Sequence, residues 1–183
     1  MRLSHDLPRI APDALYRLLR SHGLLPLSLG EEGLLRAIKA TAEYGTYAMV
    51  VEGEGDDTVV LASVLSVVPE PGILLTQWIP EVKDLHKRKA DLRALGEELR
   101  AYWFREGIRR VEARVAKSRL QTIKALKTMG FRQETNDHGI RMAVDYGKGW
   151  ESFIVLGLLE TDPVRKQDSC LNLEAVGVGH GND

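Results

Sequence analysis

The chain has 183 residues, 44% of them hydrophobic and 28% charged, with a formal net charge of −1 and one cysteine, Cys170. That length suits one domain with a full hydrophobic core, and the near-zero charge gives no global pull toward nucleic acid or membrane, so any anion site must be a local cluster. A single cysteine excludes an intrachain disulfide and a cysteine metal cluster. The opening MRLSHDLPRIAPDAL lacks the apolar core of a signal peptide, and no run reaches about 18 apolar residues, so a cytoplasmic chain without a transmembrane helix is expected.

In chain order, Arg2–Leu7 reads as a short strand ended by Pro8 and Pro12. Pro12 also suits the first turn of a helix whose face carries Ala14, Leu15, Leu18 and Leu19 up to about His22. Gly23 and Pro26 break that pattern, and Glu31–Glu43 reads as a second helix burying Leu34, Leu35, Ile38 and Ala42. Three strands follow as an antiparallel meander: Thr46–Glu52, Thr58–Val68 and Ile73–Ile79. Turn-forming Gly53–Asp57 and Pro69–Gly72 separate them. A long helix is expected from about Asp84 to Arg105, with Leu85, Leu92, Leu95, Leu99, Tyr102 and Trp103 on one side.

The stretch Gly107–Glu134 carries the most information. Ile108, Val111, Ala113 and Val115 alternate as a strand does up to Ala116. Ser118 stands where a helix N-cap would, and Leu120, Ile123, Leu126 and Met129 follow helical spacing. Gly130 ends that helix and Phe131 opens a new strand, giving a βαβ-like unit. Phe131–Val144 is expected as one strand segment with an internal turn at Asp137-His138-Gly139, and Trp150–Leu159 as the last strand. Residues 163–183 read as a polar, glycine-rich tail behind a single domain spanning 1–162. Gly177-Val178-Gly179-His180-Gly181 has no helix after it and does not qualify as a nucleotide loop. The five histidines show no zinc spacing, and no P-loop or Gly-x-Ser-x-Gly elbow occurs. The order βααβββαβαββ is that of an α+β domain with a mostly antiparallel mixed sheet flanked by helices.

Val111-Glu112-Ala113-Arg114-Val115, the helix after it and Gly130-Phe131-Arg132 resemble the second half of the GNAT N-acetyltransferases. The likeness in element order covers about residues 1–162. Arg141, Gly147, Gly149, Trp150, Glu151 and the apolar run Leu156–Leu159 resemble the ending of the branch that acetylates ribosomal-protein N-termini. The family's Asn position falls near Arg119 and its Tyr position on Leu126, so neither residue is present.

This resemblance implies acetyl-coenzyme A as cofactor and an amine as acceptor, either a small molecule or a protein or peptide N-terminus. Trp78-Ile79-Pro80-Glu81 matches the family's strand end. Its Arg/Gln-x-x-Gly-x-Gly phosphate loop falls on Lys87, Arg88, Lys89, Ala90, Asp91 and Leu92, where both glycines are missing and cations remain. Trp78, Ile79 and those six residues are therefore the implied cofactor-binding set, with side chains replacing backbone donors at a helix start. Glu81 and Glu112 are the candidate bases, with His86 and His138 behind them. The alternative is a catalytically inactive GNAT-fold protein with a binding or structural role, as in phage-related members. A second copy of the chain is a further candidate partner, a membrane is not, and nucleic acid is disfavoured despite the basic corner of Arg109, Arg110, Arg114, Lys117 and Arg119.

Overall fold

The computed structural model describes residues 1–4, 11–25, 29–136, 139–145 and 149–162. In chain order the elements are β1 (Arg2–Ser4), α1 (Pro12–Ser21), α2 (Gly30–Tyr44), β2 (Thr46–Glu52), β3 (Val59–Glu70), β4 (Ile73–Pro80), α3 (Lys89–Arg105), β5 (Arg110–Ala116), α4 (Leu120–Thr128), β6 (Arg132–Gln133), β7 (Ile140–Asp145) and β8 (Trp150–Leu159). They build one mixed sheet in the order β1-β2-β3-β4-β5-β8-β6, with β7 also paired to β8. The α+β class and the antiparallel meander β2-β3-β4 follow the sequence expectation.

Each face of the sheet carries its own core. Leu92, Leu95, Leu99 and Trp103 of α3 and Leu126 of α4 pack on Val64, Leu74, Val111 and Leu156. On the opposite face Leu15 and Leu19 of α1 and Leu34, Ile38 and Ala42 of α2 cover Leu65 and Ile79. Strand β3 is covered on both faces, and its continuous buried run Leu61–Ser66 has that cause. Gly96 sets how closely α3 meets α4, because a Cβ there would run into the Met129 backbone. Gly130 ends α4 with φ +106°, a turn that an L side chain rarely adopts.

Several expectations need correcting. The strand expected over 131–144 is two strands, β6 and β7, which pair with successive stretches of β8, β6 at Leu156 and Gly157 and β7 from Trp150 to Phe153. The βαβ unit is split: β8 inserts between β5 and β6 and runs antiparallel to both. The last strand thus takes the hydrogen bonds that a simple βαβ unit would give to its own second strand. The long helix does not start near Asp84. A single 3-10 turn at Leu85–Lys87 precedes it, and Arg88 at φ −80°, ψ 61° separates the two. Ser118 does not cap α4: Arg119 holds that position without a side-chain cap bond, while Ser118 Oγ donates to Glu151 Oε2 at 2.5 Å. Part of the expected first strand, the turns at 137–138 and 146–148, and the tail 163–183 lie outside the described residues.

Candidate functional site

The central break in the sheet lies between β4 and β5. These neighbours are parallel and pair only over Ile73↔Arg110 to Thr76↔Ala113. Beyond that point β4 keeps its bonds to β3 through Ala62↔Pro80, and β5 keeps its bonds to β8 through Ala116↔Phe153. The two strands therefore part, each held on its outer side, and their inner edges from Gln77 and from Arg114 onward face a wedge. Pro80 has no N–H to offer a ladder. Such an edge presents backbone donors and acceptors that an extended ligand can use.

On the α3/α4 side of the wedge, the cations leading into α3 pair with nearby carboxylates, while the helix start itself has no side-chain cap. Arg88 donates from Nη1 and Nη2 to Glu52 at 2.9 and 2.5 Å and from Nε to Asp91 at 2.8 Å. Those hydrogen bonds hold Arg88 above its ordinary pKa and the Glu52 carboxyl below its own. Lys87 pairs with Asp84 at 3.0 Å, a residue that itself adopts the left-handed conformation (φ 64°). Leu92 is fully buried in the core, whereas Lys89 and Ala90 are exposed. Trp78 is buried and its Nε1 has no hydrogen-bond partner among the described residues. Ile79 points to the other face and sits in the α1/α2 core. The eight residues of the implied cofactor set are thus divided among the core, a surface ion-pair cluster and solvent.

The open space lies beside α4 instead. A cavity of about 580 Å³ is bounded by Pro80, His86, Ser118, Arg119, the first turn of α4 and Lys124. That first turn has no side-chain cap, so its N–H groups join Lys124 in offering positive charge to an anion. His86 Nδ1 is buried without a partner among the described residues. Arg119 donates from Nη2 to the carbonyls of His22 and Gly23 at 2.9 and 3.0 Å, which ties the end of α1 to the β5–α4 turn.

On the α1/α2 side a smaller groove of about 220 Å³ sits where the strands begin to part, between Gln77, Glu112, Arg114 and Phe153. A further cavity of about 150 Å³ under α1 and α2 shares Thr41 and Gln77 with it. Glu112 accepts from Arg114 Nε at 2.8 Å and from Arg110 Nη2 at 3.1 Å, and Arg110 also grips Glu134. Burial alone would push the Glu112 carboxyl up, but the hydrogen bonds from Arg114 and Arg110 outweigh it and hold it below the usual range. A carboxylate held ionised by two guanidiniums is a poor proton acceptor.

Glu81, just past the end of β4, has a different setting. Its Oε1 accepts from Ser63 Oγ at 2.8 Å, and Ser63 in turn lies 3.2 Å from the Tyr47 hydroxyl. Its Oε2 lies 3.1 Å from His22 Nε2, and both side chains are one-quarter exposed. Ser63 is buried, so this chain of bonds satisfies a hydroxyl that would otherwise cost about 1–3 kcal/mol. The structure therefore separates the two candidate bases: Glu81 stands with a histidine, Glu112 between arginines. His86 lies in the α4 cavity, and His138 is outside the described residues. Sequence reasoning missed His22, which reads only as the last residue of a helix. Its sole signal is that a titratable residue follows an apolar helical face.

Among the described residues no group of three or more His, Cys, Asp or Glu could hold a metal ion, and no helix is long and apolar enough to cross a membrane. No protein-family profile and no curated protein matches the chain in sequence. Solved structures do match. The spermidine N-acetyltransferase of Vibrio cholerae, determined with CoA and spermine, superposes with a TM-score of 0.58 at 14% identity, covering 87% of this chain and 95% of that one. A protein from Acinetobacter baylyi ADP1, provisionally assigned as an acetyltransferase, gives 0.60 at 12% identity, covering 91% and 96%. A domain from Methanocaldococcus jannaschii gives 0.52 at 14%, covering 83% and 96%. These likenesses establish the fold, which is that of the GNAT acetyltransferases.

Proposed function

We propose that the chain is an N-acetyltransferase that moves an acetyl group from acetyl-coenzyme A to an amine. The parting of β4 from β5 carries this reading, because it leaves one open space on each face of the sheet, the α4 cavity and the Gln77–Arg114 groove. Two ligands can approach one gap from opposite sides, as a transfer between them requires. The Vibrio neighbour, with CoA and a polyamine in one structure, supports the same class of reaction. The acceptor is a small amine or a protein or peptide N-terminus.

When bound, the cofactor supplies an acetyl group activated as a thioester. The fit to this chain rests on the α4 side. His86, Lys124 and the uncapped first turn of α4 would hold the phosphates, and the inner edge of β4 at Trp78–Pro80 would bind the pantetheine arm as a strand binds a strand. Arg88 is engaged by Glu52 and Asp91, Lys87 pairs with Asp84 at an exposed position, and the fit calls on neither.

The remaining chemistry belongs to side chains on the other face. An amine attacks only in its neutral form, so a proton must leave it. Glu81 orients His22 through Nε2, which leaves Nδ1 with a lone pair able to take that proton, the arrangement requiring the Nε2–H tautomer. Ser63 fixes Glu81 from behind. The helix α4 carries no tyrosine, so the second proton, which the nitrogen gives up as the C–S bond breaks and the amide forms, goes to the thiolate.

Calorimetric titration with acetyl-CoA, paired with a screen of amines for CoA release, tests the reading. Micromolar binding and amine-dependent release are expected, with release lost in His22→Gln and Glu81→Gln while binding persists. Absence of binding at millimolar cofactor would overturn it and leave a GNAT-shaped protein with a binding or structural role.

A further inference from the structure

The groove on the α1/α2 face has a charge arrangement that selects among amines. Its walls at Leu65, Val67, Leu75 and Phe153 are apolar, and its floor holds Glu112 and Arg114. A polycationic acceptor needs a free carboxylate. Glu112 is not free, since its two oxygens accept from Arg114 at 2.8 Å and from Arg110 at 3.1 Å, and only 14% of its side chain is exposed. Arg114 is in the opposite situation. Its side chain is 55% exposed, and it uses Nε for Glu112, its one ion-pair partner among the described residues. The guanidinium fork has five N–H donors, the bond to Glu112 uses one, and the side chain lines the groove. Arg114 is also the first residue of β5 beyond the paired stretch, opposite Gln77 of β4, where the strands part.

Resting on the acetyl-transfer reading, we propose that the acceptor amine carries its own carboxylate, which Arg114 binds, together with an apolar group held by the Leu65, Leu75 and Phe153 walls: an amino acid with an apolar side chain. A carboxylate on the guanidinium leaves the neighbouring amino group at the gap, on the same face as His22 and Glu81. Glu112 is then a positioning residue. It pins the Nε edge of Arg114 so that the other N–H groups point outward, and it stays ionised while doing so. The groove volume of about 220 Å³ fits a compact acceptor, below the roughly 300–1,000 Å³ of pockets for drug-sized ligands.

The test uses the full chain with CoA present and matched probes: L-leucine and L-phenylalanine, their carboxamides, and spermidine. Binding is read by ligand-observed NMR, which needs no turnover, and transfer by mass spectrometry of the acetylated product. The amino acids are expected to bind and react at least tenfold better than their amides, with spermidine inert. Arg114→Gln is expected to erase the difference between acid and amide, and Arg114→Lys to restore part of it. Amides or spermidine equalling the amino acids, no amino-acid binding at millimolar concentration, or a preference unchanged in Arg114→Gln would each overturn the assignment. Failure of acetyl-CoA to bind is a separate result: it removes the transfer reading, while the probe titration still decides what Arg114 recognises.

Discussion

The starts of α3 and α4 look interchangeable as strings of residues and are opposite as surfaces. Lys87, Arg88 and Lys89 lead into α3, and Lys117, Ser118 and Arg119 lead into α4. At α3, Glu52 and Asp91 hold Arg88, and Asp84 pairs with an exposed Lys87. Neither helix start has a side-chain cap, and at α4 the first turn, His86 and Lys124 line open space. The difference lies in partners rather than in charge count. A cation is available to a ligand only after the fold has finished assigning carboxylates, and Glu52 reaches Arg88 from 36 residues away.

The comparison depends first on α3 and α4 keeping one separation. Gly96→Leu places a side chain against the Met129 backbone and is expected to lower stability by about 2–4 kcal/mol, as overpacking in a tight contact does. A denaturant melt reads this directly, and an unchanged midpoint would mean that the helices are free to move apart. Next comes the contrast itself. Lys124→Glu is expected to weaken acetyl-CoA binding at least tenfold, about 1.4 kcal/mol or more, whereas Lys89→Glu changes it less than about twofold. Equal losses at both sites would erase the distinction between the helix starts.

Arg88→Ala sharpens the same point from the stability side. The pair it makes is half-exposed, so the expected cost is about 1 kcal/mol or less, with cofactor affinity unchanged. The smallest effect is on acid stability. Glu112 has a folded pKa below its unfolded one, so its contribution is complete above the ordinary carboxylate value of roughly 4.3 and is lost as pH falls through the lower, folded value. Glu112→Gln should therefore flatten the fall in stability on acidification below that point. A variant whose acid limb matches the wild type would show that Arg110 and Arg114 do not hold this carboxyl as described.

Legibility in the sequence tracked the range of the interaction. The meander β2-β3-β4 could be read because its strands are bounded by local turn chemistry, and Gly130 because helix ends are local events. The insertion of β8 between β5 and β6 could not, since period-2 patterning names a strand without naming its neighbours. The site divides the same way. Glu81 and Glu112 could both be picked out as strand carboxylates, yet only packing gives one of them His22 and the other two arginines. His22 itself becomes visible only when the end of α1 is laid against the end of β4.

Arg119 spans that arrangement. By holding the His22 and Gly23 carbonyls from the N-cap of α4, it joins the residue proposed to take the amine's proton to the helix start proposed to seat the phosphates. The two proposed sites then share a mechanical link. Displacing the start of α4 displaces the end of α1 that carries the imidazole. Titrations of acetyl-CoA with and without an acceptor amine should show each strengthening the other's binding, and Arg119→Ala should remove that coupling.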